Sequence, residues 1–153
     1  MDASLSGRSQ AVMRLARDEA ARLHHEYIGT EHILLGIAGQ SDGVAAESLK
    51  SFGVTLERIR SRVESIIGVG PPTASLDDRG VTPRARQVII FAQEEAAQHG
   101  SPKVEPEHLL LGVAREIHGV AARVLRDLEA SPEGIQAKVS GLLGGGVGGG
   151  PAA

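Results

Sequence analysis

Apolar residues recur at intervals of three and four along most of the chain, the spacing that puts them on one face of an α-helix. The first such stretch runs from residue 6 to 23, and further stretches cover residues 30–37, 44–52 and 56–67. Glycines separate several of them. No stretch alternates apolar and polar residues with enrichment in β-branched side chains, so the pattern predicts helices and no strands.

Residues that commonly cap helices stand at the ends of these stretches. Ser6, Thr30 and Thr55 each precede an apolar stretch, where a side-chain oxygen would accept a hydrogen bond from an unpaired backbone N–H. Gly68 follows the fourth stretch, in the position where a left-handed glycine often ends a helix. These signals predict four helices between residues 6 and 68.

The whole pattern occurs twice. Residues 6–68 align without a gap to residues 82–144, an offset of 76, and 21 of the 63 aligned pairs are identical. That similarity indicates an internal duplication. In the second copy, Thr82-Pro83 and Ser131-Pro132 are predicted to start the first and last helices, because proline is well tolerated at the first helical position.

The duplication predicts an all-α fold of two tandem four-helix repeats, eight helices in all, related by a pseudo-two-fold axis. Repeat 1 is expected over residues 1–68 and repeat 2 over residues 81–144, together forming one compact double-repeat domain. Residues 69–80 contain Gly70-Pro71-Pro72 and are predicted to link the repeats. Residues 145–153 are mostly glycine and are predicted to be a flexible tail.

Composition narrows the class of protein. Only 2% of the 153 residues are aromatic, so the core must consist mainly of leucine, isoleucine, valine and alanine. A net charge of −3 argues against a broad basic surface for nucleic acid. The chain contains no cysteine, which fits a reducing compartment. Neither a membrane-spanning apolar run nor a signal-peptide pattern is present, so we expect a soluble, cytoplasmic protein without membrane partners.

Motifs of catalysis and metal binding are weak. The sequence has no G-x-x-x-x-G-K-[ST] loop for ATP. His24, His25 and His32 do not have the spacing of a zinc-binding helix, and the second copy has only His99 and His108 in comparable places. We interpret His32 and His108 as packed, hydrogen-bonded structural residues. The expectation is a protein without catalytic activity, metal or cofactor.

Three ordered blocks resemble a known family. Residues 29–36 and 43–46, together with the helix start at residues 82–85, are similar to the Clp N-terminal (Clp repeat) domain, most closely that of the ClpC branch. The resemblance covers residues 5–144. It implies an all-helical double repeat that precedes the AAA+ modules of an unfoldase and binds substrates and adaptors. In the ClpC branch such domains recognise phosphorylated arginine on proteins marked for degradation.

The resemblance also implies two phosphoarginine sites, each pairing a hydroxyl residue at a helix start with a glutamate. A carboxylate matches the planar donors of a guanidinium. A helix N-terminus with a nearby arginine suits a phosphate. Carried over residue by residue, the expected site 1 consists of Ser6, Arg8 and Glu31, and the expected site 2 of Thr82, Arg84 and Glu107.

Each of these residues also has a purely structural interpretation. An acidic residue in the first turn complements the helix dipole by roughly 0.3–1 kcal/mol, and N-capping alone would explain Ser6 and Thr82. Site 2 departs further from the family, because Glu105-Pro106-Glu107 replaces Gly-Thr-Glu and brings a second negative charge. Proline has no N–H to donate. We therefore expect site 1 to bind phosphoarginine better than site 2.

Aromatic docking points typical of the ClpC branch are missing. Leu5 and Val81 stand near the two helix starts where the family often has phenylalanine, and Phe91 is expected to be buried. Ligands that need exposed rings, including small molecules aimed at Clp N-domains, should bind less well.

The leading hypothesis from sequence is a non-catalytic binding module for phosphoarginine-marked proteins or Clp adaptors. It would deliver them to a Clp unfoldase or sequester them. Two alternatives stay open: a regulatory partner that docks on the unfoldase without binding phosphoarginine, and the N-domain of a larger ClpC-type unfoldase.

Overall fold

The computed structural model describes residues 3–71 and 80–144. These residues form eight α-helices and no strand, which confirms the predicted all-α fold. The remainder of the predicted linker, 72–79, and the predicted tail, 145–153, lie outside the described residues. The helices of repeat 1 are α1 (Gly7–Arg22), α2 (Thr30–Ala38), α3 (Val44–Ser51) and α4 (Leu56–Ile66), and those of repeat 2 are α5 (Pro83–Gln98), α6 (Pro106–Arg115), α7 (Val120–Asp127) and α8 (Pro132–Gly144).

Most of the predicted helix caps are confirmed. Ser6 accepts a hydrogen bond from the N–H of Ser9 at 3.1 Å, and Thr82 accepts one from Ala85 at 3.1 Å. Thr55 and Ser131 act in the same way at the starts of α4 and α8. Gly68, just after α4, has φ +82°, a left-handed conformation that a glycine adopts without the steric cost of a Cβ.

The prediction for Thr30 is wrong. Helix α2 begins at Thr30 itself, and Gly29 is the residue that precedes it. The buried Thr30 hydroxyl accepts instead from the N–H of Ala121 at 3.1 Å, in α7 of the other repeat. A Cβ added to Gly119 would lie 2.8 Å from that hydroxyl oxygen. Thr30 therefore joins the two repeats, because its side chain satisfies the start of α7 rather than that of α2.

Two symmetric backbone contacts cross between the repeats. Leu5 forms an isolated parallel bridge with Val104, and Ile28 forms one with Val81. The N–H of Ser6 donates to the Val104 carbonyl at 3.0 Å, and that of Thr82 donates to the Ile28 carbonyl at 2.9 Å. These contacts join equivalent positions of the two copies in exchanged order, as a two-fold axis requires. The start of α1 therefore lies beside the start of α6, and the start of α5 beside that of α2.

A single apolar cluster draws side chains from both repeats, and α2 and α6 lie at its centre. Helices α1 and α2 approach closely at Gly36, where an added Cβ would collide with the carbonyl oxygen of Val12. Gly112 has the same relation to Val88 between α5 and α6. The conserved spacing of these glycines between the copies therefore reflects backbone packing.

The prediction that Phe91 is buried in the core is wrong. The ring is only partly buried, and the guanidinium of Arg115 lies 4.1 Å from its centroid. Its helix turns this position toward the edge of the core, where a cation can cover the ring face. Leu5, in contrast, is fully buried, so it offers no exposed docking point.

Candidate functional site

A cavity of about 730 Å³ lies where repeat 1 meets repeat 2, at the starts of α2 and α5. Its lining includes Glu31 from α2, Thr82 as the N-cap of α5, and Arg84 from α5. Apolar side chains such as Tyr27 and Ile67 line it as well, together with the polar residues His24, His25 and Glu26. We call this cavity and its lining the α2–α5 site.

The structure corrects the pairing of the predicted site residues. Glu31 shares a cavity with Thr82 and Arg84, not with Ser6 and Arg8. The reason is the exchanged contact between the repeats, which brings Thr82 to Ile28, three residues before Glu31. By the same exchange, Ser6 lies beside Val104 and therefore near Glu107. We call this second arrangement, with Ser6, Arg8 and the 105–107 segment, the α1–α6 site.

Glu31 is a buried carboxylate with an unusual local environment. It is 6% exposed, and burial raises the pKa of its carboxyl group although its own backbone N–H donates to it. Among the described residues, the nearest basic group is the Nδ1 of His32, 4.0 Å away. A Cβ on Gly29 would lie 2.5 Å from Glu31 Oε1. The carboxylate therefore folds back over a position that only glycine leaves open.

A chain of hydrogen bonds fixes the entry to α2. His32 Nδ1 accepts from the N–H of Gly29 at 2.8 Å, and its Nε2 lies 2.8 Å from Nδ1 of His25. His25 Nε2 in turn lies 2.9 Å from the Gly68 carbonyl oxygen. Since that carbonyl only accepts, neutral His25 donates to it through Nε2–H and accepts from His32 Nε2–H.

Burial, together with the neighbouring His25, lowers the pKa of His32 to about 3. His32 is therefore neutral at physiological pH and completely enclosed. This confirms the interpretation of His32 as a packed, hydrogen-bonded residue. The ring orders Gly29 and thereby the backbone that carries Glu31.

The start of α5 supplies hydrogen-bond donors opposite Glu31. The Thr82 oxygen accepts from the N–H of Ala85, so its hydroxyl hydrogen is left to donate. Pro83 has no N–H, and the N–H groups of Ala85 and Arg86 are bound by Thr82, so the backbone donor at this helix start is the N–H of Arg84. Arg84 is anchored by Glu116, whose Oε1 lies 3.3 Å from Nη1. Carboxylate and anion-binding groups thus face one cavity.

The α1–α6 site lacks this arrangement. Burial raises the pKa of Glu107, and the negative charge of Glu105 raises it further, while the positive charge of Arg8 opposes the shift. The guanidinium of Arg8 is bound to Asp42 Oδ1 at 3.0 Å. Glu105 is the N-cap of α6, the position that Gly29 holds before α2, where an added Cβ would lie 2.5 Å from Glu31 Oε1.

The resemblance implies threonine at the position of Ser6 and Gly-Thr at the position of Glu105-Pro106. Both departures lie in the α1–α6 site, and the residues that match the family pattern lie in the α2–α5 site. Pro106 opens α6 as its first residue, where its missing N–H has no cost to the helix. The departures from the family pattern are thus divided between the two sites differently from the sequence prediction, because the structure pairs residues of different repeats.

Other chemistry finds no support in the described part of the chain. Within residues 3–71 and 80–144, no three histidine, aspartate or glutamate side chains are close enough to hold a metal ion. No helix there is long and apolar enough to cross a membrane. Residues 39–43 spell G-x-S-x-G, but this segment joins α2 to α3, whereas a nucleophile elbow joins a strand to a helix.

Sequence reasoning gave no functional role to several cavity residues, among them Glu26, Tyr27, Ile67, Pro71 and Val120. The one tyrosine of the chain lies two residues before the first family block, which was the only available signal for it. Ile67 was assigned to the apolar stripe of α4, yet it is 45% exposed.

The comparisons with known proteins agree with the fold. A family profile described as the Clp repeat (R) N-terminal domain matches residues 4–128 and 80–150. The chain belongs to the Clp repeat N-terminal domain family. The resemblance inferred from the sequence blocks is thereby confirmed.

Two relatives illustrate where this Clp repeat domain occurs. Chaperone protein ClpB of Oceanobacillus iheyensis is 46% identical over 138 residues, which cover 90% of this chain and 17% of that protein. The chloroplastic chaperone protein ClpC of Pisum sativum is 47% identical over 133 residues, covering 87% of this chain and 14% of that protein. The chain thus spans less than a fifth of the length of these curated relatives.

Solved structures share the architecture of this Clp repeat domain. The N-terminal domain of the Clp-associated chaperone ClpD from Arabidopsis thaliana superposes with a TM-score of 0.71 at 23% identity, covering 92% of this chain and 97% of that one. The Hsp104 N-terminal domain from Candida albicans gives 0.75 at 14% identity, with 92% of each chain covered. At these identities the likeness concerns the fold.

Proposed function

We propose that this chain is a non-catalytic protein-binding module of the Clp system that recognises phosphoarginine-marked substrates or adaptors through the α2–α5 site. The observation that carries the proposal is the cavity that contains Glu31 together with Thr82 and Arg84. Family membership supports the general role, because the matching relatives are ClpB and ClpC chaperones.

The two ends of a phosphoarginine side chain match the two polar walls of this cavity. The guanidinium N–H groups would donate to the Glu31 carboxylate, whose one neighbour at ion-pair distance among the described residues is His32, which is neutral. The phosphoryl oxygens would accept from the Thr82 hydroxyl, the start of α5 and Arg84. An unmodified arginine would satisfy only the Glu31 wall.

The α1–α6 site is a weaker second site under this proposal. Glu105 adds a negative charge close to the position of the phosphoryl group, and like charges disfavour binding. Both arginines are already ion-paired, Arg8 with Asp42 and Arg84 with Glu116, so this pairing does not separate the two sites. The departures are therefore expected to lower affinity through charge repulsion.

The proposal is tested by calorimetric titration of the protein with free phosphoarginine, using arginine and phosphoserine as controls. We expect one dominant site for phosphoarginine. Each control should bind at least about ten-fold more weakly, because it lacks one of the two charge-assisted contacts.

Absence of phosphoarginine binding would contradict the proposal. If the protein nevertheless bound a Clp unfoldase in a pull-down that free phosphoarginine did not disturb, the docking function would replace it. Equal affinity for arginine and phosphoarginine would show that the start of α5 does not bind the phosphoryl group.

A further inference from the structure

Two large apolar side chains that line the α2–α5 cavity are exposed to solvent. Tyr27 is 48% exposed and Ile67 is 45% exposed, and both belong to the few large apolar side chains of the described residues with such exposure. They line one cavity together with Pro71 and Val120. Large apolar side chains grouped beside a polar site are typical of a surface that another molecule covers.

Described contacts hold this apolar wall in place. The Gly68 carbonyl oxygen, next to Ile67, is bound by His25 Nε2 at 2.9 Å. The N–H of Gly70 donates to the Leu23 carbonyl at 2.8 Å, and a Cβ on Gly70 would collide with the His24 carbonyl oxygen. The segment after α4, from Gly68 to Gly70, thus packs against the turn between α1 and α2. A wall formed in advance costs a ligand little ordering.

The size of the cavity exceeds the need of one amino-acid side chain. At about 730 Å³ it lies well inside the range of sites that enclose drug-sized ligands. The groups assigned to phosphoarginine are Glu31, Thr82 and Arg84, so Tyr27 and Ile67 are left available for another part of a ligand.

We propose that Tyr27 and Ile67 form an apolar subsite for a neighbouring residue of the same polypeptide. The preferred ligand is then a segment in which an apolar side chain lies next to the phosphoarginine. This inference rests on the proposed function of the α2–α5 site. It adds a determinant of sequence preference beyond the modified arginine.

The α1–α6 site offers a natural contrast. Lys103 occupies the position equivalent to Tyr27, and its Nζ donates to the Ala3 carbonyl at 2.8 Å. A charged side chain engaged in this way gives no apolar wall. The subsite is therefore specific to the junction that retains the family residues.

The test is calorimetry with three ligands: free phosphoarginine, a pentapeptide with leucine on both sides of phosphoarginine, and the same peptide with serine instead. Wild-type protein should bind the leucine peptide about 5- to 20-fold more tightly than the serine peptide, because partial burial of one leucine is worth that much. Tyr27→Ser and Ile67→Ser should each reduce this ratio to below about three-fold.

The matched control is Ile117→Ser, since Ile117 is 50% exposed and lies outside the cavity lining. It should keep the wild-type ratio. Ile117→Ser should also bind free phosphoarginine as the wild type does, and an unfolding temperature close to that of the wild type shows that Tyr27→Ser and Ile67→Ser are folded. Equal binding of both peptides to wild type, with free phosphoarginine still bound, overturns the subsite alone. Failure of all three ligands to bind overturns the proposed function.

Discussion

Glu31→Gln is expected to weaken phosphoarginine binding about 10- to 100-fold, because a hydrogen bond to a charged group is worth about 1.5–3 kcal/mol. Glutamine keeps the size of the side chain but replaces one acceptor oxygen with a donor. The matched variant Glu107→Gln should change the affinity of the dominant site by less than about two-fold, since it belongs to the α1–α6 site. Calorimetric titration of both variants measures the contrast.

Stability separates this loss from misfolding. Glu31 is a buried carboxylate whose pKa burial has raised, so its charge is a cost to the folded state at neutral pH. Glu31→Gln should therefore unfold at the same temperature as the wild type or higher. A binding loss with unchanged stability is the signature of a functional residue. Equal losses of affinity from Glu31→Gln and Glu107→Gln would contradict the asymmetry of the two sites.

The free energy of unfolding should fall by about 2 kcal/mol between about pH 7.5 and pH 5 because of His32 alone. His32 is fully buried with a pKa of about 3, while in the unfolded chain its pKa is 6.5. The unfolded state therefore binds more protons through this whole interval, and its stabilisation grows as the pH falls. The contribution is present above pH 6.5 and is lost progressively below it.

Denaturant unfolding of wild type and His32→Gln at several pH values measures this contribution. The variant should lose about 1–3 kcal/mol at neutral pH, because the N–H of Gly29 and Nδ1 of His25 lose their partner. Its stability should decline less steeply with acid. Glu31, whose raised pKa acts in the opposite direction at low pH, contributes to both curves. Parallel curves would show that His32 does not remain neutral when folded.

The helices could be predicted from sequence because their signals are local. Capping residues such as Ser6, Thr55 and Thr82 act within one turn of their own position, and the structure confirms them. Thr30 was misassigned because its oxygen could serve either its own helix or a distant one. Only the packing of α7 against α2 decides between these uses.

The sequence singled out Glu31, Thr82 and Arg84 as candidates, but it did not predict that these three residues line one cavity. A duplicated sequence gives the same pattern whether each repeat completes its own site or the repeats exchange halves. The exchange depends on the bridges of Leu5 with Val104 and of Ile28 with Val81. Such short extended contacts have no periodic signature. The exposure of Ile67 could not be predicted for a related reason, because helical periodicity does not show which residue at the end of a helix lies outside the core.

The proposed α2–α5 ligand site is built from residues of both repeats. The most direct measurement is a titration with free phosphoarginine followed by the backbone amide resonances of the protein. We expect the amides of Glu31, Thr82 and Arg84 to shift together along one binding curve, with those of Ser6 and Arg8 responding only at higher concentration. If the amides of Glu31 and Ser6 followed one curve while Thr82 followed another, each site would lie within one repeat. That result would contradict a ligand site shared between the repeats.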